Sequence, residues 1–368
     1  MVKLNSSELN FGERLAAAVT RKGSFLVVGI DPRLDRLPSP VLDASRRLYG
    51  HWWEGAANAL LRFGRGVVEA VAPFAVAVKL QIAFYEMYGW WGLEAYSQIA
   101  AYARELGLMV IGDVKRGDIA STAEAYAAAH LGEVVLPGGE KTAGLFNVDA
   151  ITINPYLGSD GVLPFVRQAV QHGRGVFVLV RTSNPSAGEL QDLTVQPPDS
   201  AARPPGLPAR PRAVRLWEQV AALVRQWGEL AGTPGGEVDD AGVRRAGAGT
   251  GGQALNRGSG EQPFGPVGAV VGATYPEDLA RARELLPNQW ILVPGYGTQG
   301  ATARDAVQAC CPGTRLGALV NAGRSIIYAF SEPRWMEGRK PSQWAKAVAA
   351  AARHARDELL AAADTRHA

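Results

Sequence analysis

Residues 109–118 read MVIGDVKRGD, a short apolar run that ends in a dense group of charged side chains. A continuous apolar run is typical of a strand buried on both faces, as in a parallel sheet covered by helices. Charged residues at the end of such a strand lie where the loops of an α/β barrel build their functional sites. The segment therefore predicts a buried parallel strand with a reactive centre at its carboxyl end.

Seven further runs of this kind occur along the chain, with stretches of helical period between them. The eight runs are Phe25–Ile30, Ala75–Leu80, Met109–Val114, Ala150–Ile153, Val176–Val180, Val267–Val271, Ile291–Val293 and Leu319–Asn321. Between Trp53 and Val71, apolar residues recur three or four apart, as one buried helix face requires. Asn10 and Glu13 have capping-box spacing for a leading helix. The pattern favours an α/β fold consisting of a single (β/α)8 TIM barrel, with an open doubly wound sheet as the alternative.

Two stretches interrupt this alternation. Residues 197–212 hold six prolines, which are incompatible with a helix or a central strand and predict an extended, stiff surface loop. Residues 232–260 hold ten glycines without a hydrophobic period and predict a flexible insert. We expect both to decorate one domain spanning residues 1–368. A linker between two domains is the competing interpretation, but the three strands that follow would be too few to close a second barrel.

Composition limits the class of protein. The 38 Lys and Arg residues against 35 Asp and Glu give a net charge of +3 and are scattered, so no nucleic-acid-binding face is expected. No stretch is long and apolar enough to predict a membrane span, and the N-terminus lacks the apolar core of a signal peptide. Cys310 and Cys311 are adjacent, which predicts neither a disulfide framework nor a zinc site and favours a reducing cytoplasm.

Polar residues recur at the predicted carboxyl ends of the strands. A single Asp or Lys at such a position is ordinarily a solvated group or a helix cap, but recurrence at six strand ends indicates a shared site. The residues are Asp31, Lys79, Asp113 to Asp118, Ser183 and Asn184, Gly295 to Gly297, and Asn321 to Arg324.

The charged group after the third strand suits proton and carbanion chemistry. Asp113 and Lys115 are two residues apart, so in an extended strand both point into the barrel, while Asp118 lies in the turn beyond. A lysine between carboxylates keeps its proton, because nearby negative charge favours the ammonium form. Such an ammonium can stabilise a developing carbanion and then protonate it. The alternative for Asp-x-Lys-x-x-Asp is an ion-pair network that closes the barrel mouth.

A second, independent pattern predicts a phosphate site. Pro294–Gly300 follows a strand and opens a helix, so that free backbone N–H groups can face an anion. Asn321–Ser325 places Arg324 in the loop after the next strand, where a guanidinium can grip a phosphate with two hydrogen bonds. Barrel enzymes often bind phosphate between their seventh and eighth loops. Either glycine turn alone could equally be a tight connection.

Other aromatic and imidazole side chains are interpreted as structural. His130 lies late in the helix after the third strand, where a cap or surface role is expected. The tryptophans in helical stretches are expected to pack in the core or at its rim rather than to stack on bases; they are Trp52, Trp53, Trp90, Trp91, Trp217 and Trp227.

Together these motifs resemble the signature of the orotidine 5′-monophosphate decarboxylases, particularly their longer bacterial branch. The matching segments are Val28–Pro32, Val78–Glu86, Gly112–Thr122, Arg181–Pro185, Pro294–Gly300 and Gly323–Ile326. They occur in family order between about residue 10 and about residue 330, and the two inserts fall outside the similarity. Sister decarboxylases share the Asp-x-Lys-x-x-Asp motif, so the resemblance to this family in particular depends on all of the matching segments together.

The resemblance implies a role for each matched catalytic position. Lys115 would stabilise the C6 carbanion and protonate it to give uridine 5′-monophosphate. Asp113 would lie against the scissile carboxylate, and Lys79 would complete the charge network and contact the ribose. Asp118 would enter from the partner subunit of a homodimer with shared active sites, with Ile119 and Thr122 near the pyrimidine and ribose.

The resemblance also implies the substrate-binding positions. Asp31 would accept a hydrogen bond from a ribose hydroxyl, and Ser183 would hold the pyrimidine edge. The phosphate would be bound by Gln299 and Arg324 together with the turn glycines Gly295, Gly297 and Gly323. The ligand would be the nucleotide orotidylate, and no metal or organic cofactor is implied.

Two rival functions follow from the same residues. A magnesium-dependent sugar-phosphate decarboxylase or aldolase would share the Asp-x-Lys-x-x-Asp motif, but such enzymes resemble one another in an acidic residue on the second strand and a histidine near the fifth strand end. Here Lys79 occupies the second strand, and Arg181–Ser183 contains no histidine. A catalytically silent nucleotide-binding barrel is the second rival, and the presence of every expected chemical residue argues against it.

Overall fold

The computed structural model describes residues 9–196, 213–231, 236–238, 244–246, 264–297 and 299–367. Parallel strands of these residues close into an eight-stranded barrel in the order β1-β8-β7-β6-β5-β4-β3-β2. The strands are β1 Leu26–Ile30, β2 Ala77–Gln81, β3 Met109–Arg116, β4 Ala150–Ile153, β5 Gly175–Arg181, β6 Val267–Val271, β7 Ile291–Val293 and β8 Ala318–Ala322. The predicted TIM barrel is confirmed, and every predicted strand matches within two residues at either end.

Helices follow the strands and surround the barrel. In the described ranges, the helices of ten residues or more are α1 Phe11–Lys22, α2 Ser39–Tyr49, α3 Trp53–Val71, α4 Gly89–Glu105, α5 Ala120–Leu131, α6 Gly158–Gln171, α7 Leu216–Ala231, α8 Pro276–Leu285 and α9 Trp344–His367. Short helices cover Ala83–Glu86, Gly188–Gln191, Ala303–Ala306, Arg324–Ile327 and Pro333–Met336. Single 3-10 turns cover Leu34–Arg36, Pro185–Ala187, Val307–Ala309, Ala329–Ser331 and Pro341–Gln343.

Short antiparallel strand pairs decorate the loops. They join Glu133–Val135 to Lys141–Ala143, Thr194–Val195 to Val214–Arg215, and Gly236–Val238 to Arg244–Ala246. The last pair lies within the glycine-rich insert, where the sequence predicted no strand. The predicted proline-rich loop, residues 197–212, lies outside the described residues.

The leading helix α1 closes the amino-terminal end of the barrel. Its capping box is confirmed: Asn10 Oδ1 accepts from the Glu13 N–H, and Glu13 Oε2 accepts from the Asn10 N–H, both at 3.1 Å. The buried Phe11 ring packs edge to face against Phe177 of β5, with ring centroids 6.0 Å apart. This packing leaves the carboxyl-terminal end of the barrel as the open end.

The helix α3 shows how the outer layer is held. The apolar face predicted for it is buried against the barrel: Ala57, Leu60, Phe63, Val67 and Val71. Fully burying a side chain of the size of Leu or Phe contributes roughly 1.5–3 kcal/mol. The face therefore holds α3 beside β1.

His130 corrects one expectation. It is 2% exposed rather than at the surface, and its ring stacks on Phe146 with centroids 4.6 Å apart. The chain returns over the end of α5 after the hairpin, because the Phe146 N–H donates to the carbonyl of Ala129 and the Val148 N–H to that of His130. Burial, with a smaller effect from Arg116, lowers the pKa of His130 to about 3.

The tryptophans divide into two groups. Trp217 and Trp227 are buried in the core, as predicted. Trp52, Trp53 and Trp90 are more than half exposed, so of the two predicted positions, core or rim, they do not occupy the core. Two of these, with Trp91, border the aromatic groove, a surface groove between α3 and α4 that is lined by Tyr49, Trp52, Trp53 and Trp91 among others. None of the described helices has both the length and the apolar character needed to cross a membrane.

Candidate active site

A cavity of about 440 Å³ opens at the carboxyl ends of the strands, and each of the eight strands or the loop after it contributes to the lining. The structure places these predicted site residues on its wall: Asp31, Lys79, Asp113, Lys115, Ser183, Gly295, Gln299, Gly323 and Arg324. Four predicted residues lie off the wall: Asp118, Ile119, Thr122 and Gly297.

Asp113 is the centre of the polar network. Its Oδ2 accepts from Lys79 Nζ at 2.6 Å and Gln81 Nε2 at 3.0 Å. Its Oδ1 accepts from Lys115 Nζ at 2.5 Å and Thr152 Oγ1 at 2.9 Å. Burial alone would raise the pKa of the Asp113 carboxyl, but Lys79 and Lys115 outweigh burial and hold it well below its usual range. The carboxylate therefore remains charged at neutral pH although it is only 6% exposed.

The two lysines differ in environment. Lys79 is buried, and burial alone would lower its pKa, but Asp113 and Asp31 together raise it. The Asp31 contact is longer, with Oδ1 4.0 Å from Lys79 Nζ. The Lys115 side chain is 47% exposed, so its ammonium can meet a molecule in the cavity. Lys79 thus supplies a fixed charge and Lys115 an accessible one.

The backbone around Lys115 departs from a regular strand. Pairing between β3 and β4 skips from Gly112↔Ile151 to Arg116↔Ile153, and Lys115 has a φ of +44°. This left-handed conformation costs a side-chain-bearing residue roughly 1–2 kcal/mol. The hydrogen bond from the Lys115 N–H to Thr152 Oγ1, at 3.0 Å, helps to hold it. Asp113 and Lys115 meet in the cavity as predicted, but a bulge rather than plain strand alternation aims Lys115.

The loops after β7 and β8 form the second half of the cavity. Gly295 and Gly297 have φ values of +102° and +83°, which favour glycine in this turn. Gly297 is not among the residues that line the cavity, and a Cβ there would lie 3.3 Å from Ser325 Oγ in the loop after β8. Arg324 is exposed and lines the cavity, so its guanidinium is available to an anion there. Thr298, in the predicted phosphate turn, lies outside the described residues.

The turn after β3 faces away from the cavity of its own chain. Asp118 Oδ1 accepts from the Ile119 N–H at 2.8 Å, which holds the carboxylate over its own turn. Ile119 is 50% exposed, and Thr122 is exposed on the first turn of α5. The structure therefore does not bring these three residues together with Lys115 in one subunit.

Two oxygen atoms at the cavity are buried and have no hydrogen-bond partner among the residues that the structure describes. They are Asp31 Oδ1 and Asn321 Oδ1, at the ends of the neighbouring strands β1 and β8. Buried acceptors of this kind are ordinarily satisfied. Their position makes this corner a natural site for donor groups of a ligand, such as hydroxyls.

Gln81 and Thr152 are the site residues that sequence reasoning missed. Gln81 lies two residues after Lys79 on β2, so the spacing rule that paired Asp113 with Lys115 could have identified it. Thr152 carried no comparable signal, because a single threonine in the apolar run of β4 is compatible with simple packing. Within the described ranges, no group of three or more His, Cys, Asp or Glu side chains is placed to hold a metal ion.

Comparisons with known proteins identify the family of the chain. The sequence pattern of the Orotidine 5′-phosphate decarboxylase / HUMPS family matches residues 60–203. An orotidine 5′-phosphate decarboxylase of Rhodopirellula baltica is 35% identical over 351 residues, covering 95% of this chain and 99% of that protein. An orotidine 5′-phosphate decarboxylase of Caldicellulosiruptor bescii is 36% identical over 325 residues, covering 88% of this chain and 90% of that protein. The structure of Leishmania donovani OMP decarboxylase superposes with a TM-score of 0.63 at 27% identity, covering 97% of this chain and all of that one. The chain therefore belongs to the orotidine 5′-phosphate decarboxylase family.

Proposed function

We propose that the chain decarboxylates orotidine 5′-monophosphate to uridine 5′-monophosphate, the last step of de novo UMP synthesis, with Lys115 as the group that meets the reacting carbon. The family membership supports the activity. The observation that carries the mechanism is a buried, charged Asp113 hydrogen-bonded on one side to the fixed Lys79 and on the other to the accessible Lys115. The site thus joins a carboxylate to a reachable ammonium, as a carboxy-lyase of this kind needs.

The charge distribution favours loss of carbon dioxide. In the bound substrate, the scissile carboxylate lies beside the carboxylate of Asp113, and the two negative charges repel. As the bond from C6 to the carboxylate breaks, carbon dioxide leaves uncharged and the electron pair stays on C6 beside the Lys115 ammonium. Interactions that strengthen as charge develops are the ones that accelerate the reaction.

Lys115 then completes the reaction. One of its N–H bonds breaks as the C6–H bond forms, and the neutral amine regains a proton from water. Lys79 keeps its positive charge throughout, because Asp113 and Asp31 raise its pKa despite burial. Gln81 and Thr152 keep the Asp113 carboxylate from turning away from the substrate, since each donates to a different oxygen.

Binding of the rest of the nucleotide is assigned to the other walls of the cavity. Asp31 accepts from a ribose hydroxyl, and Ser183 holds the pyrimidine edge. The phosphate binds to the loops after β7 and β8 through Gln299 and Arg324 with Gly295, Gly297 and Gly323. These remote contacts can drive closure of the loop around Gln299 and exclude water from the charged centre.

We infer a homodimer in which each cavity is completed by the partner subunit through Asp118, Ile119 and Thr122. The position of these residues outside their own cavity supports this. The loop after β4 adds exposed apolar side chains, with Tyr156 79% and Leu157 47% exposed. The two loops adjoin, because a Cβ on Gly161 would lie 3.0 Å from Leu157 Cβ and 3.3 Å from the carbonyl oxygen of Asp118. A contiguous apolar surface of this kind is typical of an interface.

We further infer a single domain over residues 1–368, chemistry without metal or organic cofactor, and a cytoplasmic location. The pairing of β5 with β6 joins the parts of the barrel on either side of the two inserts, which supports one domain. Lys115 supplies the positive charge that a metal or an electron-sink cofactor would otherwise bring. Cys310 and Cys311 are free thiols, as a reducing compartment favours.

The activity is tested by following the loss of orotidylate absorbance with purified protein in excess EDTA. We expect full turnover, because Lys115 stabilises the carbanion directly. Failure to consume orotidylate would contradict the proposal. Activity that disappears in EDTA and returns with magnesium would instead favour the metal-dependent branch of the superfamily.

A further inference from the structure

A directional chain of hydrogen bonds runs through the loop after β5. Gln191 Oε1 accepts from the Thr182 backbone N–H at 2.9 Å and from Arg181 Nη1 at 3.5 Å. Gln191 Nε2 donates to Thr182 Oγ1 at 2.7 Å. Thr182 Oγ1 in turn donates to Asn184 Oδ1 at 2.6 Å. The chain therefore ends on the side chain of Asn184.

The chemistry of its members fixes the direction of this chain. A backbone N–H and a guanidinium can only donate, so the oxygen of the Gln191 amide must face them. The NH2 group of Gln191 then faces Thr182, whose hydroxyl accepts it. The single hydroxyl proton of Thr182 is left for Asn184 Oδ1. Asn184 consequently presents its Nδ2, with two donor hydrogens, on its other side.

The start of the chain is firmly anchored. Arg181 is 2% exposed, and its Nε donates to Asp278 Oδ2 at 3.1 Å and its Nη2 to Asp192 Oδ2 at 3.0 Å. Its guanidinium carbon lies 4.1 Å from the ring centroid of Tyr275. Because Asp278 and Asp192 hold the edges of the guanidinium and Tyr275 covers one of its faces, Arg181 keeps its donor directed at the Gln191 amide oxygen, and the amide cannot easily turn over.

Asn184 does not cap the turn that follows it. It directly precedes the 3-10 turn Pro185–Ala187, where an asparagine side chain ordinarily caps the backbone, but it makes no such bond here. Its Nδ2 has no hydrogen-bond acceptor in the described part of the chain. Asn184 lines the same cavity as Lys115, so the free donor group is available to a bound molecule.

The barrel geometry indicates which part of the nucleotide Asn184 meets. The strand order places β5 four strands from β1 in either direction, so the Thr182–Asn184 loop faces Asp31 across the ring. With the ribose at Asp31 and C6 at Lys115, the pyrimidine extends towards β5. The ring position opposite the ribose-bearing nitrogen is C4, which carries an oxygen acceptor in uracil and orotate and an amino donor in cytosine.

We propose that Asn184 is a specificity-determining residue that donates from Nδ2 to the 4-oxygen of the pyrimidine and disfavours a 4-amino group. Gln191 and Thr182 are positioning residues that set the polarity of the Asn184 amide. The proposal rests on the proposed function, because it requires the base to lie between Lys115 and the loop after β5.

The test reverses the orientation of the Asn184 amide by changing Gln191, which does not itself line the cavity. In Gln191→Glu the carboxylate still accepts from Arg181 and from the Thr182 N–H, but its second oxygen takes the Thr182 hydroxyl proton. Thr182 must then accept from Asn184, whose amide turns its oxygen towards the cavity. We would titrate wild type and variant with UMP and with CMP by calorimetry. The ratio of UMP to CMP affinity should fall about tenfold, because UMP loses one hydrogen bond to its 4-oxygen and meets an acceptor there instead.

Two further variants complete the design. Ser186→Asp adds the same charge to the same loop at an exposed position outside the chain of bonds, and its UMP to CMP ratio should equal that of wild type. Asn184→Ala should weaken UMP binding several-fold without weakening CMP binding, and it tests the proposal even if Gln191→Glu does not fold.

Orotidylate turnover by the wild type separates the possible failures. If the wild type decarboxylates orotidylate but neither Gln191→Glu nor Asn184→Ala changes the ratio, the assignment of Asn184 is overturned and the proposed function stands. An equal fall in Ser186→Asp also overturns it, because charge alone would then explain the effect. A wild type that neither binds UMP nor consumes orotidylate overturns both proposals.

Discussion

Lys79 and Lys115 contact the same carboxylate, yet their side chains are 7% and 47% exposed. Removing one partner of a buried ion pair costs roughly 3–5 kcal/mol, because the other charge is left without compensation in a poorly hydrated place. An exposed partner contributes far less, since water replaces it. At the residue scale, Lys115 is therefore the lysine that can be replaced with the fold intact, and Lys79 is the one on which the fold depends.

His130 gives a prediction for the pH dependence of stability. Its pKa is about 3 in the folded protein because burial disfavours the imidazolium. In the unfolded chain a histidine titrates near ~6.5, so between these values the unfolded state binds more protons. Stability should then fall as the pH drops below ~6.5, by roughly 1.4 kcal/mol for each pH unit.

We expect His130→Phe, which retains a ring to stack on Phe146, to flatten this part of the stability curve. Urea unfolding at about pH 7 and about pH 5 gives the free energy of unfolding at each pH. The loss of stability between these two pH values should be smaller in His130→Phe than in the wild type by roughly 2 kcal/mol. His354→Gln, at an exposed histidine, serves as the matched control. Identical slopes in all three proteins would show that His130 is not responsible.

At the element scale, periodicity predicted the barrel well because its strands are buried on both faces. Every residue of β1, for example, is buried, so its continuous apolar run indicated a buried strand. The bulge that aims Lys115 was not predictable, because it depends on pairing between β3 and β4 rather than on local sequence. His130 was misplaced for the same reason: the segment that covers it returns from beyond a hairpin.

The site residues were predictable from the sequence where charged side chains follow the predicted strands. Asp113, Lys115 and Arg324 are charged residues at strand ends. That all three are merely solvated surface groups is a weak explanation for their recurrence at these positions. Thr152 is a small polar residue whose importance arises from its contact with Asp113, 39 positions away in the sequence. Asn184 was noted only as a polar residue at a strand end, and its orientation depends on Gln191 through Thr182. Such contacts emerge only when the barrel closes.

The glycine-rich insert gives a prediction at the same scale. It leaves from the end of α7 and returns before β6, and these points are near each other, since a Cβ on Gly265 would lie 3.9 Å from the Gly228 carbonyl oxygen. A short linker can therefore replace residues 232–260 without straining the barrel. We expect turnover and melting temperature close to wild type. A large loss of activity at unchanged stability would reveal a functional role for the insert.

At the scale of the whole molecule, the closed barrel gathers one residue set into a cavity and leaves another outside it. Asp118 lies three residues after Lys115 in sequence but does not line the cavity of its own chain. If the partner subunit brings Asp118 to the substrate, a dimer has two sites, each built from both chains. The two residues can then be inactivated on separate chains.

Mixing Lys115→Ala and Asp118→Ala proteins tests this arrangement. Each variant alone should be inactive, but a hybrid dimer contains one site with both residues intact. With free subunit exchange, activity should recover to about a quarter of the wild-type value, since half of the dimers are hybrids with one good site in two. No recovery, with exchange verified by differently tagged chains, would contradict a shared site.

We propose that the Lys115 ammonium stabilises and protonates the carbon from which carbon dioxide departs. The most direct measurement is the rate of orotidylate decarboxylation by Lys115→Ala, made on protein whose UMP affinity and melting temperature have been determined. We predict a rate lower by at least about 10³-fold, as loss of both an electrostatic and a proton-transfer contribution implies, with UMP still bound and the fold intact. Turnover within about tenfold of wild type would contradict the account.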